Sequence, residues 1–327
     1  MVASAPKILL VRLKSIGDIV FTAPATDRLR QNHPDASIGF LTSVENRPVV
    51  ETFPAVNEVL VLDRRLLRRP NLLATSRHLL GLVRRLRARR FSLVIDFQGY
   101  GETALLTRLT GAPTRWGCAT RPLRRRAYTH NVPRPGGCHP ADGYLQMLDQ
   151  AGVPPAPVRN ELRLPDHAMH EAQSFFMHSR LNPAKPTLFL QPFTSAEAKN
   201  WPLANFLALA KIWRHHGGQV LFGGGPNERD RLRPAKSAGF AVAAGVPLQT
   251  SAALACLATI LVGGDTGLLH FVVALGQRTL ALMPAERPGS SIPYRHPEWV
   301  VSPPPGRPVS EIPVAAVGKA LAEIQMP

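Results

Sequence analysis

Four short stretches of the 327-residue chain combine glycine with side chains that move protons or hold anions. The first is Lys14-Ser-Ile-Gly-Asp18, directly after the apolar run Lys7-Ile-Leu-Leu-Val-Arg12. A glycine there lets backbone approach a ligand closely. Asp18 opens a helical stretch, where the helix dipole favours its anionic form. An ionised carboxylate at the mouth of a cleft can take a proton from a substrate hydroxyl. An aspartate that only caps the helix fits the same spacing. The second stretch is Gln191-Pro-Phe-Thr194-Ser195, followed by Lys199 and Trp201. Hydroxyls and backbone N–H groups after a strand suit phosphate oxygens, and Lys199 adds a positive charge for a departing diphosphate. A polar loop with a solvated lysine reads the same way.

The third stretch, Phe222-Gly-Gly-Gly-Pro226-Asn-Glu228, resembles a phosphate loop. It matches neither G-x-x-x-x-G-K-[ST] nor G-x-G-x-x-G, so a nicotinamide site has weak support. Glu228, at a helix start, can bind ribose hydroxyls or offset the helix dipole. The fourth and strongest is Gly263-Gly-Asp265-Thr-Gly-Leu-Leu-His270, set between a strand and a helix. Asp265 can accept hydrogen bonds from sugar hydroxyls. Gly267 permits tight approach, and the first amides of the helix can cradle phosphate. His270 falls one turn into that helix and points back toward the loop. A capping Asp-Thr pair with a half-buried histidine is the plainer alternative. Asp96, with Gln98-Gly99, follows another strand and either binds a second substrate or caps a turn. His139 and Tyr144 are weaker candidates for the same side.

These stretches need strands to carry them and helices to follow. Expected strands cover 7–12, 37–41, 58–62 and 92–95, with helices over 18–31 (kinked at Pro24), 45–53, 72–90 and 102–109. A proline-rich stretch, Val153-Pro-Pro-Ala-Pro157, ends this first series. The alternation restarts with strands at 187–190, 219–222, 241–243, 259–262 and 279–283 and helices at 201–215, 251–257, from 270, and 313–324. Strands alternating with helices predict a parallel, doubly wound α/β sheet. The division falls at residues 1–160 and 161–327, and the last helix is free to pack back on the first domain. Two doubly wound halves imply a cleft, with ligands at the carboxyl ends of strands.

Length and 45% hydrophobic composition fit two globular domains. No run of about 18 uncharged apolar residues predicts a membrane span. The first seven residues lack the pattern of a secretory leader. Cys118, Cys138 and Cys256 are scattered and odd in number, which predicts a reducing, cytoplasmic setting and no disulfide framework. The net charge of +17 is uneven: residues 1–160 hold 24 Lys and Arg against 11 Asp and Glu. Such a field draws anionic partners: nucleic acid, lipid headgroups or phosphorylated glycolipid. Arginine-rich genome composition is the plain alternative. The clusters are Arg64-Arg65, Arg68-Arg69, Arg84–Arg90 and Arg121–Arg126. Arg84–Arg90 reads as a solvated helix face, while the loop-like Arg121–Arg126 is the better functional candidate. Few aromatics interleave with the clusters, which weighs against nucleic acid.

Taken as an ordered set, these motifs resemble the bacterial ADP-heptose lipopolysaccharide heptosyltransferases, glycosyltransferase family nine. The resemblance rests on Lys14–Asp18 with Pro24, Ser92–Asp96, Leu190–Thr194 with Lys199 and Trp201, Gly223–Glu228, and Asp265-Thr-Gly-Leu-Leu-His270. It implies the GT-B architecture, two Rossmann-like domains facing across a cleft, with acceptor on the first and nucleotide-sugar on the second. It implies an inverting glycosyltransferase that needs no metal or cofactor. By resemblance Asp18 is the catalytic base, with Lys199 at the leaving group. Thr194, Ser195, Glu228, Asp265, Thr266, Gly267 and His270 hold the donor, expected to be ADP-heptose. Lys14, Asp96, Arg121, Arg124 and Arg125 are the expected contacts of a phosphorylated glycolipid acceptor. Peripheral contact with the inner membrane face and no nucleic-acid partner are also expected. The run Met283-Pro-Ala-Glu286-Arg-Pro-Gly289 departs from the family's Phe-Gly-Pro type turn. A transferase or epimerase using another nucleotide-sugar, a basic nucleic-acid-binding protein and a silent sugar-binding relative are the rivals.

Overall fold

Leucine- and isoleucine-rich runs become central strands because helices cover both faces of the sheet they build. The computed structural model describes residues 5–66, 72–132, 136–284 and 291–325, and its contacts divide the chain between Leu162 and Arg163. The first unit alternates β1 (Lys7–Val11), α1 (Ile16–Val20), α2 (Ala23–Asn32), β2 (Ser37–Ser43), α3 (Arg47–Val50), β3 (Glu58–Leu62), α4 (Leu72–Ala88), β4 (Leu93–Asp96), α5 (Gly101–Leu109), β5 (Thr114–Gly117), α6 (Pro122–Arg125), β6 (His130–Asn131) and α7 (Pro140–Gln150). Its strands pair in parallel in the order β3-β2-β1-β4-β5-β6. Ile8 to Val11 of β1 are fully buried, and Val11 lies beside Asp96 of β4 in the ladder.

The second unit runs α8 (Asp166–His178), β7 (Thr187–Gln191), α9 (Leu203–His215), β8 (Gln219–Gly224), α10 (Arg233–Ser237), β9 (Ala241–Ala244), α11 (Leu248–Leu257), β10 (Ile260–Gly264), α12 (Gly267–Ala274), β11 (Thr279–Leu282), β12 (Val300–Val301) and α13 (Val314–Gln325). Its sheet, β12-β11-β10-β7-β8-β9, repeats the topology of the first. In each sheet the order reverses beside the first strand made, at β1/β4 and at β7/β10. A doubly wound sheet opens its ligand crevice at that reversal, outside the carboxyl ends of the strands. The Asp18 and Asp96 loops leave one reversal; the Thr194 and Asp265 loops leave the other. The closing helix α13 packs on α9, with Val317 and Leu321 in the second core and the Trp201 indole donating to Ile312 O at 2.8 Å.

Three expectations about elements change. The single kinked helix over 18–31 is two helices, and Pro24 sits in the first turn of the second, just after Ala23, where a missing N–H costs nothing. The Arg121–Arg126 loop contains the helical turn α6. The helix expected from His270 already begins at Gly267. Arg68, Arg69 and residues 285–290 lie outside the described residues.

One side chain ties the end of the first unit to its beginning. Buried Arg28 of α2 donates to Leu145 O, Val153 O, Pro154 O and the Asp149 carboxylate. Arg28 thereby satisfies carbonyls that the proline-rich segment cannot pair in a ladder.

Candidate functional sites

In the first unit, α1 begins after Ser15, which forms a capping box with Asp18. Asp18 is therefore the third helical residue, close enough to reach back to the cap. Its Oδ2 accepts from Ser15 N at 3.1 Å, from Ser15 Oγ at 3.0 Å and from Arg12 Nη2 at 2.7 Å. All three donors fall on one oxygen, and among the described residues none falls on Oδ1. Burial alone would push this carboxyl up. The Arg12 charge and the Ser15 donors outweigh it and hold the group below the ordinary aspartate value. Asp18 lines a pocket of about 470 Å³ together with Arg12, Gln98, Tyr100, Arg124 and Arg125. Lys14 reaches the same rim, with Nζ 5.8 Å from the centre of the Tyr100 ring. Arg121, at the start of α6, is exposed and stands outside the lining.

Asp96, expected at the acceptor side, is instead committed to the protein's own groups. It is fully buried, and its Oδ1 accepts from the amides of Gln98 at 2.8 Å and Gly99 at 3.0 Å, while Oδ2 accepts from Tyr128 Oη at 2.7 Å. Desolvation pushes its carboxyl up in spite of these donors. Of the two readings of Asp96, the turn cap holds, and what it shapes is the loop that carries Gln98. The Gln98 Oε1 accepts from Leu13 N at 2.9 Å, joining the two loops, and its Nε2 has no hydrogen-bond partner among the described residues. The Tyr128 ring fills the space beside Gly117, where an added Cβ would sit 2.1 Å from it.

Arg12, which belongs to none of the four motifs, supports the same pocket as Asp18. Its side chain is 8% exposed; Nη1 donates to Phe97 O at 3.0 Å, and the guanidinium lies 5.9 Å from the Tyr144 ring centre. A charged residue ending an otherwise apolar strand was the available signal, since such a residue is buried only when paired.

In the second unit, Asp265 stands at the exit of β10. Lys199 Nζ donates to its Oδ2 at 2.7 Å, and His270 Nε2 meets its Oδ1 at 3.1 Å. Burial would raise the Asp265 carboxyl; the His270 and Lys199 contacts instead hold it down to about 2. Thr266 caps α12: its hydroxyl accepts from Leu269 N at 3.2 Å and donates to Gln191 Oε1 at 3.0 Å. The cap leaves the amides of Gly267 and Leu268 at the open end of the helix, where the dipole favours an anion. The β7 loop presses against this end, because an added Cβ on Gly264 would meet Thr194 Cγ2 at 2.6 Å. Thr194 Oγ1 donates to Ala196 O at 2.8 Å, and its amide donates to Asn200 Oδ1 at 2.8 Å, so the threonine shapes its own loop. Ser195 is exposed. Glu228 stands apart at the end of β8, with Oε2 accepting from Gly225 N at 2.7 Å. Among the described residues no helix is long and apolar enough to cross a membrane.

Comparison with known proteins follows the same lines. The model of glycosyltransferase family 9 (heptosyltransferase) matches residues 79–306. Lipopolysaccharide heptosyltransferase 1 of Pseudomonas aeruginosa is 30% identical over 298 residues, covering 86% of this chain and 80% of that protein. Among solved structures, the glycosyl transferase family 9 protein of Veillonella parvula superposes with a TM-score of 0.87 at 21% identity, covering 99% of this chain and 98% of that one. The Escherichia coli heptosyltransferase WaaC with ADP gives 0.80 at 22% identity, covering 97% and 99%. At such identities the likeness of structures speaks for the fold, which is that of the GT-B class.

Proposed function

This chain belongs to glycosyltransferase family 9, the heptosyltransferases, and from that premise we propose that it moves a heptose from an ADP-sugar to a lipopolysaccharide-type glycolipid, inverting the anomeric centre. Glycosyl transfer itself follows from the family. The donor, the acceptor and the stereochemistry are our reading.

One observation carries it: Asp18 keeps one oxygen uncommitted while three donors pin the other, beside a pocket that also holds Arg124 and Arg125. Pinning fixes the direction of the carboxylate, which general-base catalysis requires. In the proposed step the acceptor hydroxyl gives its proton to Asp18 Oδ1. Its oxygen forms a bond to the anomeric carbon as the bond from that carbon to the diphosphate oxygen breaks. The nucleoside diphosphate leaves with the electron pair. Attack from the face opposite the leaving group inverts the centre.

The second unit offers what the leaving group needs. Lys199 uses one of its three N–H donors on Asp265 and has two left for phosphate oxygens. The first amides of α12 add neutral donors, and such preorganised groups stabilise charge as it develops. Glu228 is assigned to the nucleotide ribose. On the acceptor side, Lys14, Arg124 and Arg125 supply positive charge for phosphate or carboxylate groups, with Arg121 farther out.

The test pairs two measurements on purified protein. Asp18→Asn should lower transfer by about three orders of magnitude, within the range of a positioned base. Its affinity for ADP, read by calorimetry, should stay within about twofold, as expected of a group that acts on the acceptor rather than the nucleotide. Wild-type turnover by Asp18→Asn would remove the aspartate from the reaction. A thermal-shift panel of ADP, UDP and GDP checks the nucleotide, because the bound one raises apparent stability.

A further inference from the structure

Between Glu102 and Asp142 the chain has seven arginines and no acidic residue. Five of them stand on or beside α5 and α6, which pack together in the first unit. The two helices touch at both ends. Arg124 Nε lies 3.6 Å from the place a Cβ of Gly101 would take, and Arg108 Nη1 donates to Arg126 O at 3.3 Å. Gly101, Leu105 and Arg108 follow one another at helical spacing, so they share the face of α5 that runs along α6. Leu105 is nevertheless 57% exposed, and Leu123 of α6 is 77% exposed. Tyr100, before α5, is 51% exposed. The nearest acid, Glu102, is engaged by Arg64 at 2.9 Å.

Three protruding apolar side chains in a field of unopposed arginines match the chemistry of a membrane surface. The leucines suit the boundary of the acyl chains, the tyrosine suits the headgroup level, and the arginines suit anionic phosphates. We propose that the α5–α6 surface docks the protein on an anionic lipid bilayer, with Leu105 and Leu123 entering the interface and Arg108 and Arg126 meeting lipid phosphates. Arg125 leaves α6 on another side, since successive helical residues are about 100° apart. Arg124 and Arg125 line the Asp18 pocket instead. One short helix thus serves the pocket with some residues and the bilayer with others, which puts the pocket within reach of a lipid-borne substrate.

The test is co-sedimentation of the full-length protein with phosphatidylcholine vesicles, and with vesicles in which about a third of the lipid is phosphatidylglycerol. Binding should require the anionic lipid and weaken as salt is raised. Leu123→Gln should lower the partition coefficient by about tenfold, the loss expected for one leucine at the interface. Arg126→Gln should lower it by about fivefold. Both side chains are exposed, so far-ultraviolet dichroism should match the parent. Absence of binding to anionic vesicles would overturn the proposal, as would binding that neither substitution changes. It would equally fail if a single-stranded oligonucleotide competed the vesicles off and bound with the same losses, because the surface would then be a general polyanion site. Vesicle binding is read without donor or acceptor, so its failure leaves the transfer reaction standing, and the Asp18 test does not bear on it.

Discussion

At the scale of single residues, Asp18 and Asp265 are built on opposite plans. Asp18 spends one oxygen on its supports and keeps the other, whereas Asp265 gives one oxygen to Lys199 and the other to His270. Arg12 is the residue that tunes Asp18. Removing its charge takes away the largest effect that lowers the carboxyl, so the folded value rises. In Arg12→Gln the acid limb of the pH–rate profile should therefore move to higher pH; a limb that stays put would show that Arg12 does not set Asp18's ionisation. For Asp265 the direction is also explicit. Its folded value of about 2 lies below the ordinary 3.8, so the contact stabilises the fold above that ordinary value. The contribution is lost as pH falls from about 4 through 2. Lys199→Met should flatten this part of the acid-denaturation curve and weaken ADP binding by about tenfold, the loss of one charge-assisted hydrogen bond. The aspartates were legible in the sequence because glycines flank them after apolar runs. Arg12 was not, since its partners, Phe97 and Asp18, are set by the fold, and one of them is 85 residues away.

At the scale of elements, strand ends decide where loops stand, and glycines decide how close they come. Gly117 in β5 admits the Tyr128 ring, whose hydroxyl holds Asp96. Gly117→Ala would force backbone and ring apart and release that bond. A loss of about 3 kcal/mol is expected from overpacking plus a buried carboxylate short of a donor, readable in urea unfolding. Gly264→Ala in β10 should displace the Thr194 loop and weaken nucleotide binding while leaving Asp18 undisturbed. The strands that carry the site loops were legible: β1, β4, β7 and β10 each contain a short apolar run that ends at polar or turn residues. β5 and α8 were not. Thr114-Arg-Trp-Gly117 is only half-buried, and α8 buries mostly small residues, Ala168 and Ala172, with Phe176. Neither leaves a strong apolar period.

At the scale of the whole molecule, two sheets of one topology carry different charge. The excess of arginine sits in residues 1–160, where the lipid-facing proposals lie, and the second unit holds the candidate anion cradle. ADP should therefore raise the unfolding transition that belongs to residues 163–327, followed by scanning calorimetry. A rise confined to the other transition would misplace the nucleotide. The doubly wound class was legible from the alternation of elements, because that pattern has few packed solutions. The Arg28 contacts have a bearing on synthesis as well. Carbonyls of residues 145–154 complete the burial of a charge introduced at position 28, so a nascent chain shorter than this cannot bury that guanidinium without an unpaired-charge penalty. Translation must pass Pro154 before the earlier half can bury that charge among its carbonyl partners.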